Sequence, residues 1–173
     1  MIVVQCTKML AAELQVPLSA VQPSFDKSIY GWHAHLFICK RKKCVLIMNN
    51  ESRYNFVIYG LVKADFKRLD QIIIEHIQEN LRLDGANQQF IDKYINRITG
   101  ISYTPTSNRS IISQINEMIM VAGDELVHNL YHFNDPRPQE VNRMMNKYVF
   151  LQLPLTYSGK TMLQSLEKLG SGI

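Results

Sequence analysis

The residues with the clearest chemical potential lie just before a long apolar helix, which is predicted from Ile111 to about Leu130. Hydroxyl, amide and guanidinium side chains gather in this segment: Thr106, Ser107, Asn108, Arg109 and Ser110. A helix N-terminus offers unpaired backbone N–H groups and a partial positive charge, so it attracts phosphate or carboxylate groups. Arg109 would add a bidentate guanidinium contact to the same anion. The alternative is simple capping of the helix, with Arg109 on the surface or paired with an acid.

A basic run between two predicted strands forms the second candidate site. Its residues are Lys40, Arg41, Lys42 and Lys43. Clustered cations contact phosphates, and such contacts are strongly salt-dependent. Aromatic side chains nearby, such as Phe37 and Tyr54, would stack on unpaired bases. The alternative is a solvated hairpin turn whose charges keep the protein soluble and discourage edge pairing.

Two histidine pairs have the geometry of a partial metal site. His33 and His35 share one face of a predicted strand, and His128 and His132 are four residues apart on a predicted helix. A metal site needs a third ligand, and neither pair has one at a spacing typical of a zinc module. The sequence therefore predicts no metal, and the histidines are interpreted as core or surface residues.

Catalytic and cofactor-binding motifs are incomplete. Residues 158–161 (SGKT) match the end of a phosphate-binding P-loop, but Pro154 stands where that motif requires a glycine. No G-x-S-x-G motif is present, and no cysteine stands in a recognisable nucleophile context. We predict no catalytic residue and no cofactor, and the sequence does not favour an enzyme.

The composition indicates a globular protein with a mild basic bias. The chain has 173 residues, 46% hydrophobic content and a formal net charge of +4. Residues 1–63 contain eight Lys or Arg and three Asp or Glu, so the basic excess lies in the N-terminal third. Three cysteines at irregular spacing argue for a reducing compartment. Because we find no signal peptide and no long apolar run, we expect a cytoplasmic protein that does not enter a membrane.

Hydrophobic patterning predicts the strands that position these candidates. Residues 32–39 alternate between apolar and other side chains, residues 44–48 are apolar on both faces, and residues 54–59 form a third segment of the same kind. We predict an antiparallel three-stranded meander, extended by an N-terminal strand at Ile2–Val4. The predicted fold class is α+β, a small antiparallel sheet packed against several helices.

Helices are predicted where apolar residues recur at three- and four-residue spacing. These segments are 8–14, 65–84, 87–98, 111–130, 138–147 and 160–169. Residues 148–153 are predicted as a further strand. Since no repeat or long linker divides the chain, we predict a single domain over residues 1–170 and a flexible tail at 171–173.

Three short motifs resemble a family of uncharacterised bacterial proteins, which is known only as a domain of unknown function. The motifs are Cys6-Thr7-Lys8, Trp32-His33-Ala34 and Thr104-x-Thr-x-Asn108-Arg109-Ser110 ahead of a helix that contains Asn116. The resemblance covers residues 1–125. It implies a bacterial or phage-related origin and draws attention to Trp32, Asn108 and Arg109, but it brings no activity, cofactor or catalytic residue.

Two functional hypotheses remain open from the sequence. The first is a non-catalytic binding or regulatory protein that engages a protein or a nucleic acid, including a mobile-element protein that inhibits a host complex. The second is an enzyme or sensor for a small phosphorylated or nucleotide ligand at the Asn108–Arg109 helix end. In the second, Trp32 would stack on the ligand, and His33 or His35 would act as acid or base. The oligomeric state is not predicted.

Overall fold

The structure, a computed structural model, describes residues 1–172. Its strands are β1 (Ile2–Cys6), β2 (Gly31–Cys39), β3 (Lys42–Asn49), β4 (Asn55–Leu61) and β5 (Ile101–Pro105). They form one sheet in the order β4-β3-β2-β1-β5. β2, β3 and β4 are antiparallel neighbours, whereas β1 runs parallel to both β2 and β5. The fold is α+β, and the sheet is mixed.

Helices cover both faces of this sheet. They are α1 (Lys8–Leu14), α2 (Lys63–Phe66), α3 (Leu69–Leu83), α4 (Gln88–Asn96), α5 (Arg109–Phe133), α6 (Pro138–Met145) and α7 (Ser158–Ser171). A short 3-10 turn at Pro23–Phe25 precedes β2. Most of these bounds agree with the predicted helices within a few residues.

The predicted meander over residues 32–59 is present, but the prediction of a wholly antiparallel sheet is wrong. β1 joins the sheet in parallel because α1 and the loop after it return the chain to the same end of the sheet before β2 begins. The predicted strand at 148–153 does not form. Phe150 and Leu153 are both buried, three residues apart, and Leu153 N donates to the Phe150 carbonyl as in a turn. In that segment only Val149 forms a β-bridge, to Tyr157.

Two apolar cores lie on opposite faces of the sheet. On the first face α1, α3, α4 and α7 pack on side chains that include Trp32, Ala34, Val45, Ile47 and Phe56. On the second face α5 and α6 pack on side chains that include Cys44, Leu46, Met48 and Val57. Successive residues of a strand point to opposite faces. The alternation in β2 therefore sends Trp32 to the first core and His33 to the second face.

The C-terminal residues extend the last helix further than predicted. α7 continues to Ser171, and Gly172 ends it with a φ of 69°. The predicted flexible tail at 171–173 therefore begins inside a helix, and its last residue, Ile173, lies outside the described residues. Within residues 1–172, no helix combines the length and the apolar character that crossing a membrane requires.

Candidate functional site

A row of polar side chains crosses the sheet beneath the start of α5. Thr104 of β5, Gln5 of β1 and His33 of β2 are in register with one another, and all three are fully buried. Strand alternation explains their direction, because Val4 and Trp32 beside them point into the first core. Burying polar groups costs free energy unless they are hydrogen-bonded, so their partners define the site.

Gln5 and His33 each hold a residue of the neighbouring loops. Gln5 Nε2 donates to Asp26 Oδ1 at 2.9 Å and lies 3.5 Å from Ser107 Oγ. His33 Nδ1 lies 2.7 Å from Asn50 Oδ1, and Asn50 Nδ2 donates to the Phe25 carbonyl at 2.9 Å. Since the Asn50 amide already donates through Nδ2, its Oδ1 accepts, and Nδ1 of His33 carries the proton.

Two acceptor atoms are buried behind the loops, His33 Nε2 and Gln5 Oε1. Burial lowers the pKa of His33 to about 4, so the ring is neutral near pH 7 and its Nε2 is an acceptor. Neither His33 Nε2 nor Gln5 Oε1 has a hydrogen-bond partner among residues 1–172. Buried polar atoms without partners are rare in folded proteins, and each one calls for a donor.

A polar cleft of about 280 Å³, here named the α5 cleft, lies in front of these residues. Its lining includes Asp26, Lys27, Asn50, Glu51, Arg53 and Asn108, with Gln152, Leu153 and Pro154 as a further wall. Arg53 is fixed there, because its Nε donates to Gln114 of α5 and its Nη1 donates to the Asn50 carbonyl. The cleft therefore holds two carboxylates and two cations, and hydrogen bonds fix the side chains of Asp26, Glu51 and Arg53.

The start of α5 is closed by Asn108. Its Oδ1 accepts from Ser110 N at 3.1 Å and from Ile111 N at 3.2 Å. The backbone donors that an anion would use are thus partly occupied by the cap. Arg109 is exposed and forms no ion pair within residues 1–172. Of the remaining predicted residues, Thr106 is half-buried, and Ser107 and Ser110 are exposed.

Trp32 lies away from this cleft. It is fully buried on the opposite face of the sheet, where its Nε1 donates to the Tyr94 hydroxyl at 3.1 Å and its ring meets Phe56 edge-on at 6.1 Å between centroids. In this position the indole belongs to the first core and does not reach a ligand beside Asn108. His33 lies behind the cleft, so the structure brings His33, Ser107 and Asn108 together but not Trp32.

The basic turn stands at the other end of β2. Along the strand, Lys40 is about 23 Å from His33 at the usual rise per residue. Lys40, Arg41 and Lys42 are exposed, but Lys43 is not a free cation. Its Nζ lies 2.6 Å from Glu13 Oε1 and 5.7 Å from the centroid of the Phe66 ring. The turn and the cleft are therefore two separate surfaces.

The histidine pairs are arranged side by side. The ring centroids of His33 and His35 are 6.4 Å apart, and those of His128 and His132 are 4.3 Å apart. In the part of the chain that the structure describes, no three His, Cys, Asp or Glu side chains are grouped to hold a metal ion.

Sequence reasoning missed Gln5, Asp26, Asn50 and Arg53. The only signal was Gln5, a polar residue in the apolar run from Ile2 to Cys6. Asp26 comes from the loop before β2, and Asn50 and Arg53 come from the loop after β3. The pairing of β2 with β3 brings these two loops together, and the parallel pairing of β1 with β2 places Gln5 beside His33.

Comparison with known proteins places the chain in a family. No curated protein matches it. A family model described as a domain of unknown function, DUF6933, matches residues 3–159. The match includes α5, α6 and the first residues of α7, beyond the segment in which the motifs were found. The chain therefore belongs to the DUF6933 family of domains of unknown function.

Proposed function

We propose that the protein is a binding protein or sensor whose α5 cleft takes a small zwitterionic molecule of amino-acid size. The observation that carries this proposal is the pair of fully buried side chains, Gln5 and His33, that hold Asp26 and Asn50 at the cleft and retain free acceptor atoms. Groups held in this way by a second layer of hydrogen bonds are typical of preorganised binding sites.

The charges of the cleft select the ligand class. Asp26 accepts only from Gln5 and forms no ion pair within residues 1–172, so its carboxylate remains available for an ammonium group. Lys27 is exposed, and Arg53 keeps Nη2 free of the two hydrogen bonds that fix it. A ligand that carries both an ammonium and a carboxylate group would satisfy both sets, and charge-assisted bonds of this kind are the strong ones.

A phosphorylated ligand at the same helix end has less support. Asn108 caps two backbone N–H groups of α5, and the carboxylates of Asp26 and Glu51 line the same cleft and would repel a dianion. Arg109, which was expected to hold the anion, is exposed outside the lining of the cleft.

The proposal is tested by thermal unfolding in the presence of each free amino acid, followed by calorimetric titration of those that stabilise the protein. At about one hundred times Kd a ligand adds about 2.7 kcal/mol to the free energy of unfolding, which is an easily measured shift in Tm. We expect Asp26→Asn to weaken binding at least tenfold, because it removes the charge but keeps the oxygen that accepts from Gln5.

The matched control is Asp92→Asn. Asp92 is an exposed carboxylate on α4 that accepts from Gln88 Nε2 at 2.8 Å, which reproduces the Gln–Asp contact away from the cleft. If no amino acid raises the Tm, or if both variants bind as tightly as the native chain, the cleft does not have this function.

A second candidate function is the binding of a nucleic acid by the basic turn. The observation in its favour is that Lys40, Arg41 and Lys42 are exposed at the tip of the β2–β3 hairpin, with no acidic partner among residues 1–172. The alternative is that the basic turn binds a protein partner and has a regulatory role.

The salt dependence of the binding constant distinguishes a nucleic-acid partner from a protein partner. Three phosphate contacts to a single strand predict a slope of about −2 for log K against log salt, because each contact contributes about −0.7. Fluorescence anisotropy of a labelled single-stranded oligonucleotide at several salt concentrations measures this slope. A slope near zero, or the absence of binding at low salt, would rule out a nucleic-acid partner.

A further inference from the structure

A second cavity, of about 500 Å³, opens between the end of α3, the end of α6 and the beginning of α7. It is separate from the α5 cleft and shares no lining residue with it. Its lining residues are Asp84, Arg143, Asn146, Lys147, Tyr157, Gly159, Lys160 and Leu163. Three of these are cations and one is an acid, so the cavity has a positive excess.

The single acid is already neutralised by its neighbours. Arg143 Nε lies 2.8 Å from Asp84 Oδ1, and the Tyr54 hydroxyl donates to Asp84 Oδ2. Arg143 also donates through Nη2 to Asn80, whereas its buried Nη1 has no partner among residues 1–172. The positive charges that remain uncompensated are those of Lys147 and Lys160.

Both lysines are exposed at the cavity and form no ion pair within the described residues. Lys160 Nζ lies 5.2 Å from the centroid of the Tyr157 ring, which places this ammonium group beside an aromatic surface. Leu163, one turn further along α7, adds an apolar wall. The cavity thus joins cationic groups to an aromatic and aliphatic surface.

The beginning of α7 is anchored to the end of α6. Gly159 N donates to the Asn146 carbonyl at 3.1 Å, and Ser158 Oγ donates to Asn146 Oδ1 at 3.0 Å. A Cβ at position 159 would lie 3.1 Å from the Asn146 carbonyl oxygen, so only glycine allows this approach without displacement. Lys147 follows Asn146 and Lys160 follows Gly159, and this contact therefore holds the backbone of the two lysines on one side of the cavity.

We propose that this cavity binds a small phosphate monoester with an apolar or aromatic body. Lys147 and Lys160 would contact the phosphate oxygens, and Tyr157 and Leu163 would contact the organic part. The site is not a P-loop, because Pro154 stands in place of the glycine that a P-loop needs. Its lysine, Lys160, is exposed at a cavity between three helix ends. Charge-assisted bonds between lysine and phosphate supply most of the affinity.

NMR titration of the ¹⁵N-labelled chain tests the proposal, with phenyl phosphate and inorganic phosphate as separate probes. We expect saturable shifts at Lys147, Gly159, Lys160 and Leu163, and tighter binding of phenyl phosphate. The double variant Lys147→Gln/Lys160→Gln should bind at least tenfold more weakly. The control Lys8→Gln/Lys168→Gln removes two exposed lysines outside the cavity and should bind as the native chain does.

Three outcomes would overturn the proposal. Absence of saturable shifts at these residues would remove the site. Equal weakening in the control variant would show only a nonspecific attraction to positive charge. Equal affinity for the two probes would exclude a site for an ester with an apolar body. Failure of amino acids to bind in the α5 cleft has no bearing on this result, because the two sites share no lining residue.

Discussion

The side chain of Asn146 pairs with the backbone of Asn55 as a neighbouring strand would. Asn146 Oδ1 accepts from Asn55 N at 2.9 Å, and Asn146 Nδ2 donates to the Asn55 carbonyl at 2.7 Å. One turn earlier on α6, Asn142 repeats the contact at Val57, with distances of 2.8 and 3.5 Å. β4 is an edge strand, and unpaired edges promote aggregation, so α6 closes this edge with two amides.

We predict that Asn146→Leu destabilises the protein by about 2–3 kcal/mol, since it leaves buried N–H and C=O groups of Asn55 without partners. Urea denaturation followed by circular dichroism measures the loss, and size-exclusion chromatography detects self-association through the opened edge. The control is Asn96→Leu at an exposed position at the end of α4. A loss below about 1 kcal/mol for Asn146→Leu would contradict the role of this amide.

Gly31 is the point where the loop before β2 meets the candidate cleft. A Cβ there would lie 1.9 Å from the Phe25 carbonyl oxygen and 2.7 Å from Asn50 Nδ2. We predict that Gly31→Ala destabilises the fold by about 2–3 kcal/mol through overpacking, and that it weakens ligand binding because it displaces Asp26 and Asn50.

The matched change is Gly123→Ala, inside α5. A Cβ at Gly123 meets no atom of residues 1–172 within 4 Å, so alanine there should raise stability by about 1 kcal/mol through helix propensity. Differential scanning calorimetry compares the two variants. If Gly31→Ala matches the native chain in Tm, the close approach of Phe25 to β2 is not rigid.

The strands of the meander were predictable because local signals determined them. Alternation in residues 32–39 separates two differently covered faces, and the turn at Lys40–Arg41 joins adjacent antiparallel strands. The partners of β1 were not predictable in the same way. A parallel neighbour depends on a crossover and not on the next residues in the chain, so nothing near Ile2–Cys6 indicates it. The mixed sheet follows from long-range packing of α1 on the first core.

The candidate cleft was predictable only in part for the same reason. The sequence indicates a helix start here and offers Ser107 or Thr106 as its cap, but in the structure Asn108 caps the helix. Asp26 and Asn50 look like ordinary loop residues in the sequence. They become part of a site because Gln5 and His33, paired across β1 and β2, each reach one of them.

Buried His33 predicts that stability falls on acidification. Its pKa is about 4 in the folded protein and about 6.5 when unfolded, because burial disfavours the charged ring. The unfolded chain therefore binds the proton first. The contribution of His33 is fully present above about pH 6.5 and is lost as the pH falls toward about 4, by about 3 kcal/mol in total.

Urea denaturation at about pH 7.5 and about pH 5 measures this effect, of which about 2 kcal/mol falls within that interval. His33→Gln should reduce the difference between the two pH values, even if it lowers stability at both. His132→Gln, at an exposed position near the end of α5, should leave the difference near its native value. An unchanged difference in His33→Gln would show that the ring is not held neutral by burial.

Lys40 and Arg41 of the basic turn affect stability through their backbone conformation, and they are also candidates for phosphate contacts. Lys40 and Arg41 both have positive φ, 46° and 67°, as in a type I′ hairpin turn, where Asn-Gly is the favoured pair. Side chains with a Cβ are strained in this region of backbone space. We predict that Lys40→Asn/Arg41→Gly raises the free energy of unfolding by about 1 kcal/mol and removes two exposed cations.

If the turn binds a nucleic acid, the same variant should bind a single-stranded oligonucleotide more weakly, and its salt slope should fall by about 1.4 for two lost phosphate contacts. Anisotropy titrations alongside urea denaturation measure both effects. Lys93→Gln/Lys168→Gln, which removes two exposed charges from the α4–α7 surface, should keep the native slope. A more stable variant with unchanged oligonucleotide binding would mean that the strained lysine and arginine are not retained for phosphate contacts.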